Sequence, residues 1–140
     1  MNIVPFSVWS EAETSAAFAA MQAHAARQQD NPFVDKDSAE TLMGHIRTGV
    51  ARAALMGGYL LVYDVSNTVF SDSLFLFEYL FLRIAPGASF GEAVEGMKHI
   101  ARLNGCIGVI TGNGVRRPGL RRLYERHGAV AHNEAYYIGV

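Results

Sequence analysis

The sequence predicts an α/β (α+β) fold, a mixed β-sheet with helices on both faces, and three stretches carry that prediction. The run LFLFEYLFLRI, Leu74 to Ile84, is apolar on both alternating faces for most of its length, as a central strand covered from two sides must be. Gly57-Gly58 separates two apolar runs with the residue pair that a tight antiparallel hairpin requires. Phe90 to Gly112 reads as a helix followed by a strand (CIGVITG), so the C-terminal half contains a βαβ unit. The predicted order is β-α-α-β-β-β-α-β-α-β, in one domain, 1–140.

Composition supports a packed chain. Of 140 residues, 50% are apolar and 18% charged, the balance of a folded core rather than of a disordered segment. Twelve Lys plus Arg stand against 13 Asp plus Glu, a formal charge of −1, so nucleic acid and membrane surfaces are not expected partners. Cys106, the single cysteine, excludes an intrachain disulfide and a cysteine-based zinc site, and reads as a core filler. The five histidines lack any ligand-like spacing, so no metal is expected. No leader-like segment opens the chain and no apolar run approaches about 18 residues, which predicts a soluble cytoplasmic protein.

Taken in order, Asn2 to Ser7 is β-prone, and Pro5 confines it to a sheet edge. Ser10 and Glu13 form a capping box, and Phe18, Met21 and Ala25 recur on one face of an alanine-rich helix running to about Arg27. Trp9, just before the cap, reads as a core contact. Asp37 with Glu40 suggests a second box, for a helix whose inner face is Leu42, Met43, Ile46 and Val50. Arg52 to Met56 and Tyr59 to Val65 are the hairpin strands. In the central strand, alternation puts Leu74, Leu76, Glu78, Leu80 and Leu82 on one face. Phe75, Phe77, Tyr79, Phe81 and Arg83 take the other. Ser89 and Glu92 cap the next helix, which turns Ala93, Met97, Ile100 and Ala101 inward and ends at Asn104-Gly105. A last helix over Pro118 to His127 precedes a closing apolar run, AVAHNEAYYIGV, expected as a strand.

Several of these pieces resemble a known family. GLRRLYERHGAV, with Tyr124 four residues before Gly128, is similar to the closing helix and strand of the GNAT (Gcn5-related N-acetyltransferase) family. LRIAP (Leu82 to Pro86) resembles that family's L.V.P, and ARLNG (Ala101 to Gly105) its A...G helix ending. The element order resembles it over nearly the whole chain. In the family, the strand holding LRIAP splays from the strand after it, and acyl-pantetheine inserts in the gap as if it were a missing strand. The resemblance implies an acyl-CoA-dependent N-acyltransferase using acetyl-CoA or a related acyl-CoA as co-substrate, with a small-molecule or protein amine as acceptor. It implies main-chain contacts at Arg83, Ile84, Ala85, Pro86, Gly87 and Ala88, and places Asn113 beside the cofactor.

Two departures bear on that implication. The family's Q/R-x-x-G-x-G/A loop cradles the CoA pyrophosphate with backbone N–H groups at a helix N-terminus. Here the window reads Ala85-Pro86-Gly87-Ala88-Ser89-Phe90: the basic residue is absent, and Ala88 and Phe90 stand at the two glycine positions. Gly87 and Gly91 replace them only in a loop shifted by one residue, and Glu92 is expected to cap the same helix end. The interval from Asn113 to Tyr124 is also longer than the family's, with Pro118 placed to start the helix.

Each candidate residue carries a structural alternative. Tyr124 resembles the family tyrosine that protonates the departing CoA thiolate; its alternative is a ring packed on the sheet. Glu78, a carboxylate among leucines, matches a strand position used as general base in some members; its alternative is an ion pair with Arg83 or Arg52, or a wet cleft. Arg116, Arg117, Arg121, Arg122 and Arg126 could hold CoA phosphates, with Arg116 and Arg117 the nearest, bind a nucleic acid backbone, or form a solvated helix face. The alternative for the whole protein is a catalytically degenerate GNAT-fold binding or structural component, of a kind found in bacterial and phage genomes. The uncharged AYYIGV terminus is suited to joining a neighbour's sheet, which leaves a homodimer open.

Overall fold

Strand pairing in this chain begins at Ile3, and each strand of the sheet pairs with the next one in sequence. The computed structural model describes residues 2–28, 30–112, 117–133 and 135–140. β1 (Ile3–Pro5), β2 (Arg52–Met56), β3 (Tyr59–Ser66), β4 (Leu74–Arg83) and β5 (Cys106–Ile110) lie side by side in sequence order. The first four form an antiparallel meander, and β5 joins β4 in parallel. Pro5 sits at the end of the edge strand, where its missing N–H costs no ladder bond. Gly57 and Gly58 take φ of 55° and 81°, the two left-handed residues of a type I′ hairpin between β2 and β3. A short 3-10 turn at Phe6–Val8 follows β1, and Trp9 donates its indole N–H to the Val4 carbonyl at 2.8 Å.

Helices α1 (Glu11–Arg27) and α2 (Ser38–Thr48) cover one face, and α3 (Phe90–Leu103) the other. The Ser10–Glu13 box forms in full, with both reciprocal hydrogen bonds present. Met21, Met43 and Ile46 meet Leu60, Val62 and Leu80 on the first face. Met97, Ile100 and Ala101 of α3 meet Leu61, Tyr63 and Leu76 on the second. No helix among the described residues is long and apolar enough to cross a membrane.

Four expectations need correction. The Asp37–Glu40 box does not form: Asp37 makes no capping bond, and the Asp35 carboxylate accepts from the Asp37 N–H instead, at 2.8 Å. Val50 is 61% exposed, because Gly49 at φ 79° ends α2 before the inner face reaches it. The last helix, α4, is shorter than expected and spans Leu120–Arg126, after a turn at Pro118 and Gly119. Finally, the closing apolar run forms no strand among the described residues; Tyr136 and Ile138 are exposed, and the Tyr137 ring meets Phe33 edge-on at 5.5 Å. β-propensity describes fit to a pleated surface and not an intrinsic backbone preference, so a β-prone run with no ladder partner stays irregular.

The strict alternation read for the central strand also fails, at one residue. The β3–β4 register passes from Val62↔Leu80 to Tyr63↔Glu78, leaving Tyr79 as an extra, bulged residue. A one-residue insertion exchanges the faces of everything beyond it. Leu76 therefore belongs to the α3 side, whereas Leu80 and Leu82 pack on the α1–α2 side.

Candidate active site

β4 is ten residues long, but its ladder with β5 ends early. The parallel pairs run from Leu74↔Cys106 to Phe77↔Ile110 and stop there. From Glu78 to Arg83 the side of β4 turned away from β3 has no strand partner among the described residues. A cavity of about 750 Å³ opens in that gap. Its walls include Glu78 and Leu82 on β4, Thr111, Arg117 and Tyr124 opposite, and His24 and Arg27 from the last turn of α1.

Backbone direction along the open edge follows from one hydrogen bond. The Ile84 N–H donates to the Gly58 carbonyl at 2.8 Å, on the β3 side. Successive residues of a strand direct their polar backbone groups to opposite sides. Phe81 and Arg83 thus direct their N–H and C=O groups toward the gap.

The bulge at Tyr79 decides where Glu78 points. Glu78 shares the α3 side with Leu76 and Tyr63, and not the α1–α2 side of Leu80. There, Thr111 Oγ1 lies 3.3 Å from Glu78 Oε1 and 3.0 Å from the Tyr124 hydroxyl. Neither Arg83 nor Arg52 pairs with Glu78; Arg52 Nη1 instead donates to Asn104 Oδ1 at 2.9 Å. Burial holds the Glu78 carboxyl neutral up to about 7, against the opposing effect of the Thr111 hydrogen bond. The Tyr124 phenol is pushed up to about 12, again by burial, with the Thr111 hydrogen bond opposing and the Glu78 charge adding to the rise.

Tyr124 is also a packing residue, so both readings of it coexist. Its side is only 8% exposed, and its ring meets Phe90 edge-on at 5.1 Å. Phe90 in turn contacts His127, Phe81 and Tyr59, at 5.7, 5.9 and 6.3 Å. This aromatic cluster fixes the ring while the hydroxyl stays in the cavity.

The segment expected to hold the cofactor is ordered by the neighbouring hairpin. Ala85 to Ala88 makes a type II turn, with Pro86 leading, Gly87 at φ 75°, and the Ala88 N–H donating to the Ala85 carbonyl at 3.4 Å. The Ile84 and Ala85 N–H groups both donate to the Gly58 carbonyl, so neither is open to a ligand. Ser89 accepts from the Glu92 N–H at 3.3 Å, but the reciprocal bond from the Ser89 N–H to the Glu92 side chain is absent, and Glu92 is exposed. Only half of that expected capping box exists, so the Glu92 carboxylate does not occupy the helix end.

Of the expected basic residues, Arg117 lines the cavity and Arg83 is exposed on β4. Arg121 pairs with Glu125 at 2.7 Å, while Arg122 and Arg126 are exposed on α4. Asn113 and Arg116 lie outside the described residues. Among the described residues no group of His, Cys, Asp and Glu is placed to hold a metal ion. Thr111 is the site residue that sequence reading missed. Its only signal was position, directly after CIGVI at the end of a strand leading into the gap.

No protein-family model matches this sequence, and no curated protein matches it either. Solved structures do match over the full chain. One described as a probable acetyltransferase superposes with TM-score 0.71 at 13% identity, covering 100% of this chain and 98% of that one. A ribosomal-protein-alanine N-acetyltransferase from Brucella melitensis biovar Abortus 2308 gives 0.67 at 15% identity, with both chains fully covered. The aminoglycoside 6′-N-acetyltransferase AAC(6′)-IG from Acinetobacter haemolyticus gives 0.65 at 12% identity, covering 100% and 98%. At these identities the likeness establishes the fold.

Proposed function

We propose that this chain, whose fold is that of the GNAT acetyltransferases, transfers an acetyl group from acetyl-CoA to an amine carried by a small molecule or a protein. The observation that supports this most is the open edge of β4, from Glu78 to Arg83, ending beside a Glu78 and a Tyr124 that share one hydroxyl partner. An acyl-pantetheine arm offers amide groups at strand-like spacing. Phe81 and Arg83 supply the matching backbone donors and acceptors, so the arm would lie in the gap as a strand. Pro86, Gly87 and Ala88 would then border the arm through their carbonyls and surface, with Arg117, which lines the same cavity, toward the phosphates; Asn113 and Arg116 are carried as phosphate contacts by the family resemblance alone.

The chemistry follows from the two titratable groups. Glu78, neutral below about 7 and a carboxylate above it, is matched to taking a proton from the attacking amine, directly or through water. Amine nitrogen attacks the thioester carbonyl carbon, and the C–S bond breaks as the tetrahedral intermediate collapses. Tyr124 keeps its proton at neutral pH and gives it to the departing thiolate. Two of the similar structures are an aminoglycoside 6′-N-acetyltransferase and a ribosomal-protein-alanine N-acetyltransferase, consistent with an amine acceptor here without selecting one.

One observation favours a second reading, a GNAT-fold binding protein without turnover: the type II turn of Ala85 to Ala88 stands where a phosphate-cradling glycine loop is expected. Thermal melts separate the two. At about 100 times its Kd, acetyl-CoA stabilises the folded state by about 2.7 kcal/mol, a rise of several degrees in Tm. That rise, together with release of CoA thiol on adding amines, is the expected result. A melting temperature indifferent to acetyl-CoA supports the binding-protein reading.

A further inference from the structure

We propose that Thr111 is a positioning residue that returns the proton from Glu78 to Tyr124 after each turnover, closing the proton circuit of the site. The inference rests on the acyl-transfer reading above and deepens it.

One turnover leaves a proton on the wrong group of the protein. The amine loses a proton to Glu78, and the thiolate gains one from Tyr124. The products are neutral amide and thiol, but the protein is left with a carboxylic acid and a phenolate. A second turnover requires that proton to move from the Glu78 oxygen to the Tyr124 oxygen. Among the described residues the two groups make no direct hydrogen bond. Thr111 Oγ1 lies within reach of both, at 3.3 and 3.0 Å.

A hydroxyl has one proton to give and lone pairs to accept with, so it can take part in both bonds at once. Before reaction Thr111 donates to the Glu78 carboxylate and accepts from the Tyr124 phenol. Afterwards the protonated Glu78 donates to Thr111, and Thr111 donates to the Tyr124 oxygen. Moving one proton along each bond restores the starting state: one O–H bond forms at Tyr124, one breaks at Glu78, and Thr111 exchanges its proton. No co-reactant is needed.

The placement is unusual to arrange. Thr111 directly follows β5, where that strand has parted from β4, and the Tyr79 bulge is what turns Glu78 toward it. Burial makes the relay matter. The same burial that pushes the Tyr124 phenol up to about 12 makes the phenolate left after turnover costly, and return of a proton through Thr111 removes that penalty. Charged and titratable groups around Glu78 are Tyr63 across the β3 ladder, Tyr124 from α4, and Tyr59, Tyr79, His24, Arg27 and Arg117 around the same cavity.

The test compares wild type, Thr111→Val and Thr111→Ser, each first checked for folding by melting. Initial rates are measured with acetyl-CoA and a panel of primary amines, by thiol release. Thr111→Val is expected to lower kcat about tenfold or more, with KM for acetyl-CoA changed less than about twofold, and Thr111→Ser to recover most of the rate. An active wild type whose rate survives in Thr111→Val overturns the relay and leaves acyl transfer standing. An inactive wild type overturns acyl transfer, and the relay with it. Infrared titration of the Glu78 carboxyl band, identified by its loss in Glu78→Gln, gives a readout free of turnover. Its midpoint is expected to rise in Thr111→Val, or in Thr111→Ala if the valine variant does not fold. An unmoved midpoint means Thr111 donates nothing to Glu78, which also overturns the relay.

Discussion

Tyr63 in β3 faces Glu78 in β4, one residue out of step with Val62, which faces Leu80. The skipped residue, Tyr79, exchanges the faces of the strand on either side of it. Without the skip, Glu78 would share the face of Leu80 among Met21, Met43 and Ile46, with no hydroxyl to meet it. With it, the carboxylate reaches Thr111 and, through it, Tyr124.

Glu78→Gln is expected to change the pH dependence of stability. The folded carboxyl stays neutral up to about 7, above its usual 4.5. Between those values the unfolded chain ionises and the folded one does not, so wild-type stability falls as pH rises through the window and levels off above it. The total is at most about 3 kcal/mol, and less where cavity water reaches the group. Glutamine does not titrate, so its melting temperature relative to wild type should climb between pH 5 and pH 8 (from about the ordinary carboxyl range to above the raised one). A difference constant with pH would show that Glu78 is not held neutral.

Tyr124→Phe keeps the ring against Phe90 and removes the hydroxyl. The expected kcat is lower by about 100-fold, with KM for acetyl-CoA nearly unchanged. Steady-state rates at saturating acetyl-CoA check this, and undiminished turnover would remove Tyr124 from the chemistry.

Two glycine substitutions separate backbone strain from contact. Gly87 has φ of 75° with open space around it, so Gly87→Ala should cost about 1–2 kcal/mol from conformation alone. Gly58 has φ of 81°, and an added Cβ would meet Ala88 Cβ at 2.7 Å and Ala85 Cβ at 3.0 Å. Gly58→Ala should therefore lower the denaturation midpoint more than Gly87→Ala does. Equal losses would mean that the turn does not rest on the hairpin.

Ser10→Ala removes one half of the complete capping box, well away from the cavity. A loss of about 1 kcal/mol in chemical denaturation is expected, with turnover unaltered.

Much of the fold was legible because its signals are local. The Ser10–Glu13 box, the Gly57-Gly58 turn and the inward set of α3 each depend on residues a few positions apart. The bulge was not, since inserting Tyr79 into the alternation leaves an apolar run that looks the same. The Asp37–Glu40 box failed on its reciprocal side because Asp35, two residues earlier, accepts from the Asp37 N–H that the Glu40 side chain would have taken. At the site, Glu78 and Tyr124 stood out as residue types at family-like positions. Thr111 carried no signal beyond its place after CIGVI, because its role exists only where two parted strands and α4 bring distant oxygens within reach of one hydroxyl. The tail Ala129 to Val140 has strand composition but forms no strand among the described residues, since pairing depends on a partner that composition does not supply.

Amide resonances followed during titration with acetyl-CoA test the open edge of β4 most directly. Binding in the gap predicts that Phe81 and Arg83 shift strongly and gain protection from hydrogen exchange, while the β1–β2 ladder stays unmoved. Saturation with millimolar acetyl-CoA that leaves Glu78 to Arg83 unchanged would contradict the account.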